Sequence, residues 1–228
     1  MSDLSGAGPR DAVPLPSAVF FDMDGLLVDT EKVWFEVEAE IMARLGGEWG
    51  PADQENLVGG SIASTVAYML RTAPRPADPA EVAGWLLDGV IHKLEDGAEL
   101  MPGAAELLAE VRGAGVATAL VTSSARSVAD VCLKSIGRHH FDHIVTGDDV
   151  ARPKPDPEPY LTAARLAGVD PAGCAVLEDS PNGVTAATAA GCRVVAVPSV
   201  LPIPAAPGRM VVASLRQVDM TALRGLFA

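Results

Sequence analysis

The sequence predicts an α/β fold, with a Rossmann-like parallel sheet core, helices on both faces, and an inserted all-helical cap domain. Two observations carry this prediction. From residue 104 onwards, helical patterns alternate with short apolar runs, which is typical of a parallel sheet covered on both faces. Between residues 30 and 98, apolar residues recur at helical spacing, and no convincing strand pattern is found.

The first predicted strand is the apolar run Ser17 to Phe21, which stops at acidic residues. A long helix is predicted from Thr30 to Leu45, ended by Gly46 and Gly47. Two further helices are predicted before residue 98, over Ser61 to Leu70 and Glu81 to Leu94. Later strands are predicted at Val116 to Val121, His143 to Val145, Cys174 to Leu177, Arg193 to Val197 and Arg209 to Val212. The helices predicted between them are Ala104 to Ala114, Ser127 to Ile136, Glu158 to Ala167 and Gly183 to Ala190.

The first strand and the alternating units after residue 98 are predicted to share one sheet. We therefore divide the chain into a mobile leader (1–16), an α/β catalytic core (17–29 and 99–228) and a helical cap (30–98). The leader is rich in Gly, Pro, Ser and Asp and lacks the apolar run of a signal peptide. Ligands of open α/β sheets bind at the carboxyl ends of the strands, so the inserted cap is expected to close over that site.

The composition is that of a soluble globular protein. The 228 residues are 49% hydrophobic and 21% charged, with a formal net charge of −13. A surface this acidic repels nucleic acid and anionic membranes, so we expect neither as a partner. The cysteines at 132, 174 and 192 lack CxxC spacing, which indicates buried thiols and a cytoplasmic location. We expect a monomer or a small homo-oligomer.

Two acidic residues, Asp22 and Asp24, follow the first predicted strand and precede Gly25. Side chains two residues apart at a strand end can face the same side. Two carboxylates buried together repel each other unless a cation or a proton separates them. The alternative interpretation of this pair is an ordinary acidic turn after a strand.

Three other strand ends or loops supply groups that complement this pair. Thr122 and Ser123 close one strand with hydroxyls and a helix start, and Glu178 and Asp179 close another with two acids. Lys154 lies in a proline-stiffened loop. Separately, these residues would be helix caps and a surface lysine. Together, at one edge of the sheet, they predict a Mg²⁺ site and a phosphoryl-transfer site.

The four segments resemble the motifs of a known superfamily. FDMDGLLVDTE is similar to the first motif of the haloacid dehalogenase-like hydrolases, LVTSS to the second, Lys154 in KPDPEPY to the third, and LEDSPNG to the fourth. Their order and spacing agree from about Ser17 to Val197. Within the superfamily, the chain resembles the subgroup of β-phosphoglucomutase-like enzymes and phosphatases that have a helical cap.

The resemblance implies the roles of the acidic residues. Asp22 would attack phosphorus and become an aspartyl phosphate, while Asp24 would protonate the leaving oxygen and then activate water. Mg²⁺ would be held by Asp22, by the main-chain carbonyl of Asp24, by Asp179, and by Glu178 directly or through water. Covalent catalysis of this kind splits one difficult displacement into two easier ones.

The resemblance also implies how the substrate is held. Thr122, the Ser123 backbone and Lys154 would bind the phosphoryl oxygens. The expected activity is Mg²⁺-dependent hydrolysis of small phosphate monoesters, such as sugar, polyol or glycolate phosphates. The expected partner is therefore a small phosphorylated metabolite.

Two alternatives remain open at this stage. A sugar phosphomutase of the β-phosphoglucomutase type shares all four motifs. Such mutases carry a histidine after the first motif and a cap arginine, where this chain has Trp34 and Ile62. The alternative from another class is a receiver-like phospho-acceptor domain, which the chain length and the first-strand position of Asp22 disfavour.

Overall fold

The structure is a computed structural model that describes residues 14–228. The predicted leader lies outside the described residues, apart from its positions 14–16. No helix within the described part of the chain combines the length and the apolar character that crossing a bilayer requires.

Six parallel strands form one sheet in the order β3-β2-β1-β4-β5-β6, which places β1 in the interior next to β2 and β4. The strands are β1 (Ala18–Phe21), β2 (Ala117–Val121), β3 (His143–Val145), β4 (Cys174–Glu178), β5 (Arg193–Ala196) and β6 (Arg209–Val211). The predicted α/β fold with a parallel sheet is therefore confirmed.

Nine α-helices accompany these strands in the described residues. Residues 30–98 contain α1 (Glu31–Arg44), α2 (Pro51–Glu55), α3 (Ile62–Thr72) and α4 (Pro79–Leu94), and this fully described segment contains no strand. The remaining helices are α5 (Ala104–Gly113), α6 (Arg126–Ile136), α7 (Glu158–Ala167), α8 (Pro181–Ala189) and α9 (Met220–Gly225). We keep the name cap for residues 30–98; its boundaries stay a prediction.

Alternation along β1 explains how the sheet is buried on both sides. Val19 and Phe21 point into one apolar cluster, and Ala18 and Phe20 into a second, and all four are fully buried. Each phenylalanine buried in this way contributes roughly 1.5–3 kcal/mol. The strand is thereby fixed in register, and so is the residue that follows it.

The chain leaves and re-enters the core at one place. Val28 forms an isolated antiparallel bridge with Leu100, and Asp29 N donates a hydrogen bond to Glu99 O at 2.9 Å. Met101 N donates to Leu27 O, also at 2.9 Å. The two connections between core and cap therefore run side by side.

The structure adds elements that hydrophobic periodicity did not indicate. Helix α2 has five residues and α9 has six, too few to show a repeating apolar pattern. Helix α4 begins two residues before the predicted Glu81, because the Asp78 carboxylate accepts hydrogen bonds from Ala80 N and Glu81 N at 2.8 and 3.2 Å. Pro79, which has no N–H to satisfy, suits the first position of that helix.

Candidate active site

The carboxyl ends of three adjacent strands bring the predicted residues together. Phe21, the last residue of β1, lies beside Leu120 of β2 and Leu177 of β4. Asp22 comes next, and its N–H donates to Leu177 O at 3.1 Å. Asp22 is therefore held by backbone pairing at the centre of the edge, one residue beyond the buried strand.

Lys154 connects the acids of β1 and β4. Its Nζ donates to Asp22 Oδ1 at 2.5 Å, to Glu178 Oε1 at 2.6 Å and to Val121 O at 2.9 Å. The residue is only 4% exposed. This burial excludes the alternative that Lys154 is a solvent-exposed surface lysine. Burial alone would lower the pKa of Lys154, but the carboxylates of Asp22 and Glu178 raise it above the ordinary value, so the side chain is a fixed cation.

Asp22, Glu178 and Asp179 form a buried acidic cluster, in which one carboxylate oxygen of each lies within 4.8 Å of the others. Burial raises the pKa of Asp22 well above its usual range; Glu178 and Asp24 add to the rise, and Lys154 opposes it. Burial also raises the pKa of Asp179, with Asp22 and Glu178 adding to it. Such crowding favours a bound cation.

The cluster fits Mg²⁺ by the chemistry of its donors. All are hard carboxylate oxygens, and one lysine does not neutralise three buried acids. The Asp22, Asp179 and Glu178 side chains would hold the ion, together with the Asp24 carbonyl that the resemblance implies.

Glu178 is oriented by neighbours that the sequence did not single out. Its Oε1 accepts a hydrogen bond from Tyr160 OH at 2.6 Å, and its Oε2 accepts from Ser180 Oγ and Asp179 N, both at 3.1 Å. Asp179 Oδ2 accepts from Ser199 Oγ at 2.5 Å. These donors fix the positions of both carboxylates within the acidic cluster.

The Asp24 carboxylate accepts hydrogen bonds from four side chains that are not part of the acidic cluster. Thr122 Oγ1 and Ser124 Oγ donate to its Oδ2 at 3.1 and 2.8 Å. Thr30 Oγ1 and Trp34 Nε1, from the start of the cap, donate to its Oδ1 at 2.7 and 3.3 Å. The carboxylate is therefore positioned jointly by the core and the cap.

Two glycines allow the acidic residues to pack this closely. Gly25 has a left-handed φ of +76°, and a Cβ at that position would overlap the Asp179 carboxylate. A Cβ at Gly183 would overlap the carboxylate of Glu178. Substituting either glycine by alanine would therefore displace a predicted metal ligand.

A cavity of about 70 Å³ lies above Asp22, between core and cap. The core contributes all the predicted side chains except that of Glu178, together with Ser124 and Ser180. The Ser123 hydroxyl is buried without a hydrogen-bond partner among the described residues. The cap contributes polar side chains that the sequence did not identify: Glu31, Glu38, Gln54, Ser61 and Thr65.

The two glutamates of α1 that line the cavity are unusual because Glu38 is a buried acid and Glu31 is half-buried. Burial raises the pKa of Glu31 to about 7, with Asp24 and Asp29 adding to the rise and a hydrogen bond from Gln54 opposing it. Burial raises the pKa of Glu38 to about 8, with Glu31 adding to the rise and the Trp49 indole opposing it. Despite that proximity, neither Glu38 Oε2 nor Trp49 Nε1 makes a hydrogen bond to any described residue.

Replacing Glu38 with glutamine is expected to stabilise the protein at alkaline pH. Between about pH 4.5 and 8, the folded state keeps the Glu38 proton while the unfolded state loses it. Stability of the wild type therefore falls as pH rises through this window, and the amide removes that loss. The variant should exceed the wild type by up to a few kcal/mol at pH 9 and match it near pH 4.5.

Chemical denaturation at pH 5, 7 and 9 measures this difference. The matched control is Glu48→Gln, at an exposed glutamate of the same cap. Equal pH dependence of Glu38→Gln and the wild type would show that Glu38 is ionised in the folded state.

The structure thus brings all seven predicted side chains to one edge. Asp22, Lys154, Glu178 and Asp179 form one connected group, whereas Thr122 is bonded to Asp24. Sequence reasoning missed Tyr160, Ser199 and the cap glutamates as site residues. Ser124 and Trp34 stood within or near quoted motifs, but nothing in the sequence showed that both would bond Asp24.

Comparison with known proteins identifies the family of this chain. The family described as haloacid dehalogenase-like hydrolase matches residues 19–197. Hexitol phosphatase B of Escherichia coli O157:H7 is 31% identical over 209 residues, which cover 90% of this chain and 93% of the relative.

Solved structures show the same fold. The crystal structure of CbbY from Rhodobacter sphaeroides in complex with phosphate superposes with a TM-score of 0.81 at 28% identity, covering 92% of this chain and 99% of that one. A β-phosphoglucomutase from Clostridium difficile superposes with a TM-score of 0.82, covering 92% and 96%, but at 21% identity it shows a likeness of fold alone. From its sequence match, its sheet and its motifs, this chain belongs to the haloacid dehalogenase-like hydrolase family.

Proposed function

We propose that this hydrolase is a Mg²⁺-dependent phosphatase that releases inorganic phosphate from small sugar or polyol phosphates through an aspartyl phosphate at Asp22. The observation that carries the proposal is the position of Asp22. Its carboxylate pairs with a buried lysine, belongs to a buried acidic cluster and lines the cavity between core and cap. The name of the hexitol phosphatase supports the substrate class.

In the first step, an Asp22 carboxylate oxygen bonds to phosphorus as the bond from phosphorus to the ester oxygen breaks. Asp24 gives a proton to that oxygen, so the alcohol leaves neutral. In the second step, Asp24 takes a proton from water while the water oxygen bonds to phosphorus and the bond to Asp22 breaks. Phosphate is released and both aspartates return to their starting state.

The surrounding residues stabilise the charge that moves. Lys154 faces Asp22 and would balance charge on the phosphoryl oxygens, and the unpartnered Ser123 hydroxyl is free to donate to one of them. When bound, Mg²⁺ supplies further positive charge beside the same oxygens.

Hydrolysis is favoured over isomerisation because the cavity offers no cation for a second phosphate. A mutase must grip both phosphates of a bisphosphate, for which arginine is the most suitable residue. The cap has five lysines and arginines, and none lines the cavity. They lie against other groups: Lys32 against Asp29, Arg44 against Trp85, Arg71 against Tyr68, Arg75 against the Arg44 carbonyl, and Lys93 against Glu36 and Glu40.

A phosphate-release screen over small phosphate esters tests the proposal. The set should include β-glucose 1-phosphate with a trace of glucose 1,6-bisphosphate, so that isomerisation is visible. Sustained free phosphate from at least one ester is expected. Glucose 6-phosphate forming much faster than free phosphate would identify a mutase, and a single stoichiometric phosphorylation without turnover would identify a phospho-acceptor.

Removal of divalent metal is expected to suppress turnover almost completely. Without the ion, the acids of the cluster repel one another. The phosphoryl group also lacks the positive charge that Mg²⁺ would supply in addition to that of Lys154. Activity should vanish in excess EDTA, return with Mg²⁺, and be inhibited by Ca²⁺, whose looser coordination misplaces the reacting groups. Full turnover in EDTA, after dialysis against chelator, would remove the metal from the mechanism.

A further inference from the structure

The cap side of the cavity carries a buried carboxyl group that the reaction scheme above does not use. Glu38 is 4% exposed, lines the same cavity as Asp22 and Asp24, and its Oε2 has no hydrogen-bond partner among the described residues. A buried polar atom without a partner costs free energy. A carboxyl group retained at that cost in the lining of a cavity is explained if a ligand supplies the missing hydrogen bond.

The neighbours of Glu38 narrow the kind of ligand. Glu31 and Gln54 lie in the same wall, and Gln54 Nε2 donates to Glu31 Oε2 at 3.2 Å and to Glu31 O at 3.1 Å. Thr65, which is buried, adds a hydroxyl. The wall therefore offers both acceptors and donors, as a hydroxyl group requires, since it can donate one hydrogen bond and accept two.

The charges of the cavity argue against an anionic leaving group. Its lining includes five carboxyl groups, at Asp22, Asp24, Glu31, Glu38 and Asp179, and a single cation, Lys154, which faces the core side. The cap lysines and arginines, all in described residues, are engaged elsewhere. A carboxylate or second phosphate on the leaving group would be buried without a counter-ion, which is strongly unfavourable.

We propose that Glu38, supported by Glu31 and Gln54, is a specificity-determining residue that binds a hydroxyl group of the leaving alcohol and selects against substrates with a second negative charge. This inference rests on the proposed phosphatase function. It predicts that the cap side of the cavity binds a neutral, polyhydroxylated leaving group, rather than the leaving group of a glycolate-type or bisphosphorylated substrate. The raised pKa of Glu38 agrees with it, because a protonated carboxyl can both donate to and accept from a hydroxyl.

Matched substrate pairs test the inference. Glycerol 3-phosphate and 3-phosphoglycerate differ in whether the far end of the chain is a neutral alcohol or a carboxylate, and sorbitol 6-phosphate and 6-phosphogluconate differ likewise. For the wild type with Mg²⁺, kcat/KM should favour the neutral member of a pair by at least about tenfold. Phosphoethanolamine tests a cationic leaving group, and p-nitrophenyl phosphate serves as a reference without hydroxyls.

Two variants at Glu38 separate hydrogen bonding from charge. Assayed at about pH 9, above the Glu38 pKa of about 8, Glu38→Gln should reduce the preference for the neutral member at least about threefold, because the amide removes a negative charge that disfavours the anionic member. Glu38→Leu should raise KM for the neutral member, lowering its kcat/KM relative to p-nitrophenyl phosphate by about tenfold. Glu48→Gln makes the same charge change at an exposed cap position and should leave every ratio unchanged.

Each outcome has a distinct meaning. A wild-type ratio near one, identical ratios for Glu38→Gln and Glu48→Gln, or a preference for phosphoethanolamine over glycerol 3-phosphate would overturn the inference. In each of those cases p-nitrophenyl phosphate would still be hydrolysed. No phosphate release from any ester, including p-nitrophenyl phosphate, would instead overturn the proposed function itself.

Discussion

Replacing Asp22 with asparagine is expected to reduce phosphate release by at least about 10⁴-fold. An amide is nearly isosteric with a carboxylate but is a very poor nucleophile, so the first bond to phosphorus should not form. The fold should survive, because the asparagine side chain can still accept the hydrogen bond from Lys154 and the backbone pairing of Asp22 is unaffected. Loss of one buried charge from a crowded cluster also removes repulsion.

The measurement is phosphate release at saturating Mg²⁺, with circular dichroism and denaturation to establish folding. Asp88→Asn is the matched control, since Asp88 is exposed on α4 and remote from the cavity lining. Intact mass after brief exposure to substrate gives a second readout: a phosphorylated wild type and an unmodified Asp22→Asn protein are expected. Near-normal activity of folded Asp22→Asn would place the nucleophile elsewhere.

The sequence predicted the elements of the core well, because the signals there are local. Four-residue apolar runs such as Ala18–Phe21 are long enough to indicate buried strands, and Asp22 ends that run abruptly. Neighbouring parallel strands have their carboxyl ends at the same edge of the sheet. The strand assignments alone therefore predict that Asp22, Thr122 and Glu178 lie close together, without knowledge of the side-chain geometry.

Two kinds of contact lay beyond the sequence. The partners of Asp24 come from residues 6 to 100 positions away, and no pattern ties Ser124 or Trp34 to it before the cap is docked. Tyr160 lies on a helix whose apolar face makes it an ordinary core residue, until its hydroxyl is seen to bond Glu178.

The cap glutamates were missed for a related reason. On α1, Glu31 and Glu38 stand among other glutamates, such as Glu36 and Glu40, that lie in solvent and pair with Lys93. Only docking of the cap on the core distinguishes a buried acid at the cavity from an exposed acid on the other face of the helix. Burial, not the residue type, therefore gives Glu38 its raised pKa and its candidate role.

Removing Lys154 is expected to have two effects that a surface lysine could not produce. Lys154→Ala should lower kcat by about 10²-fold or more, because a fixed charge beside the phosphoryl group carries a few kcal/mol of transition-state stabilisation. It should also destabilise the fold by roughly 3–5 kcal/mol in metal-free buffer, because Asp22 and Glu178 lose the cation that bridges them.

Denaturation in EDTA and in saturating Mg²⁺, combined with phosphate release from the folded variant, measures the two effects separately. Mg²⁺ should recover more stability in Lys154→Ala than in the wild type, since it supplies positive charge that the variant lacks. Mg²⁺ should not recover the rate, because an ion held by the acidic cluster cannot occupy the position of the missing ammonium group. Lys134→Ala, at an exposed lysine on α6, is the control. If the rate of a folded Lys154→Ala protein changes less than about threefold, the lysine only neutralises its neighbours. If the rate stays low in Mg²⁺, the ammonium group acts on the phosphoryl oxygens themselves.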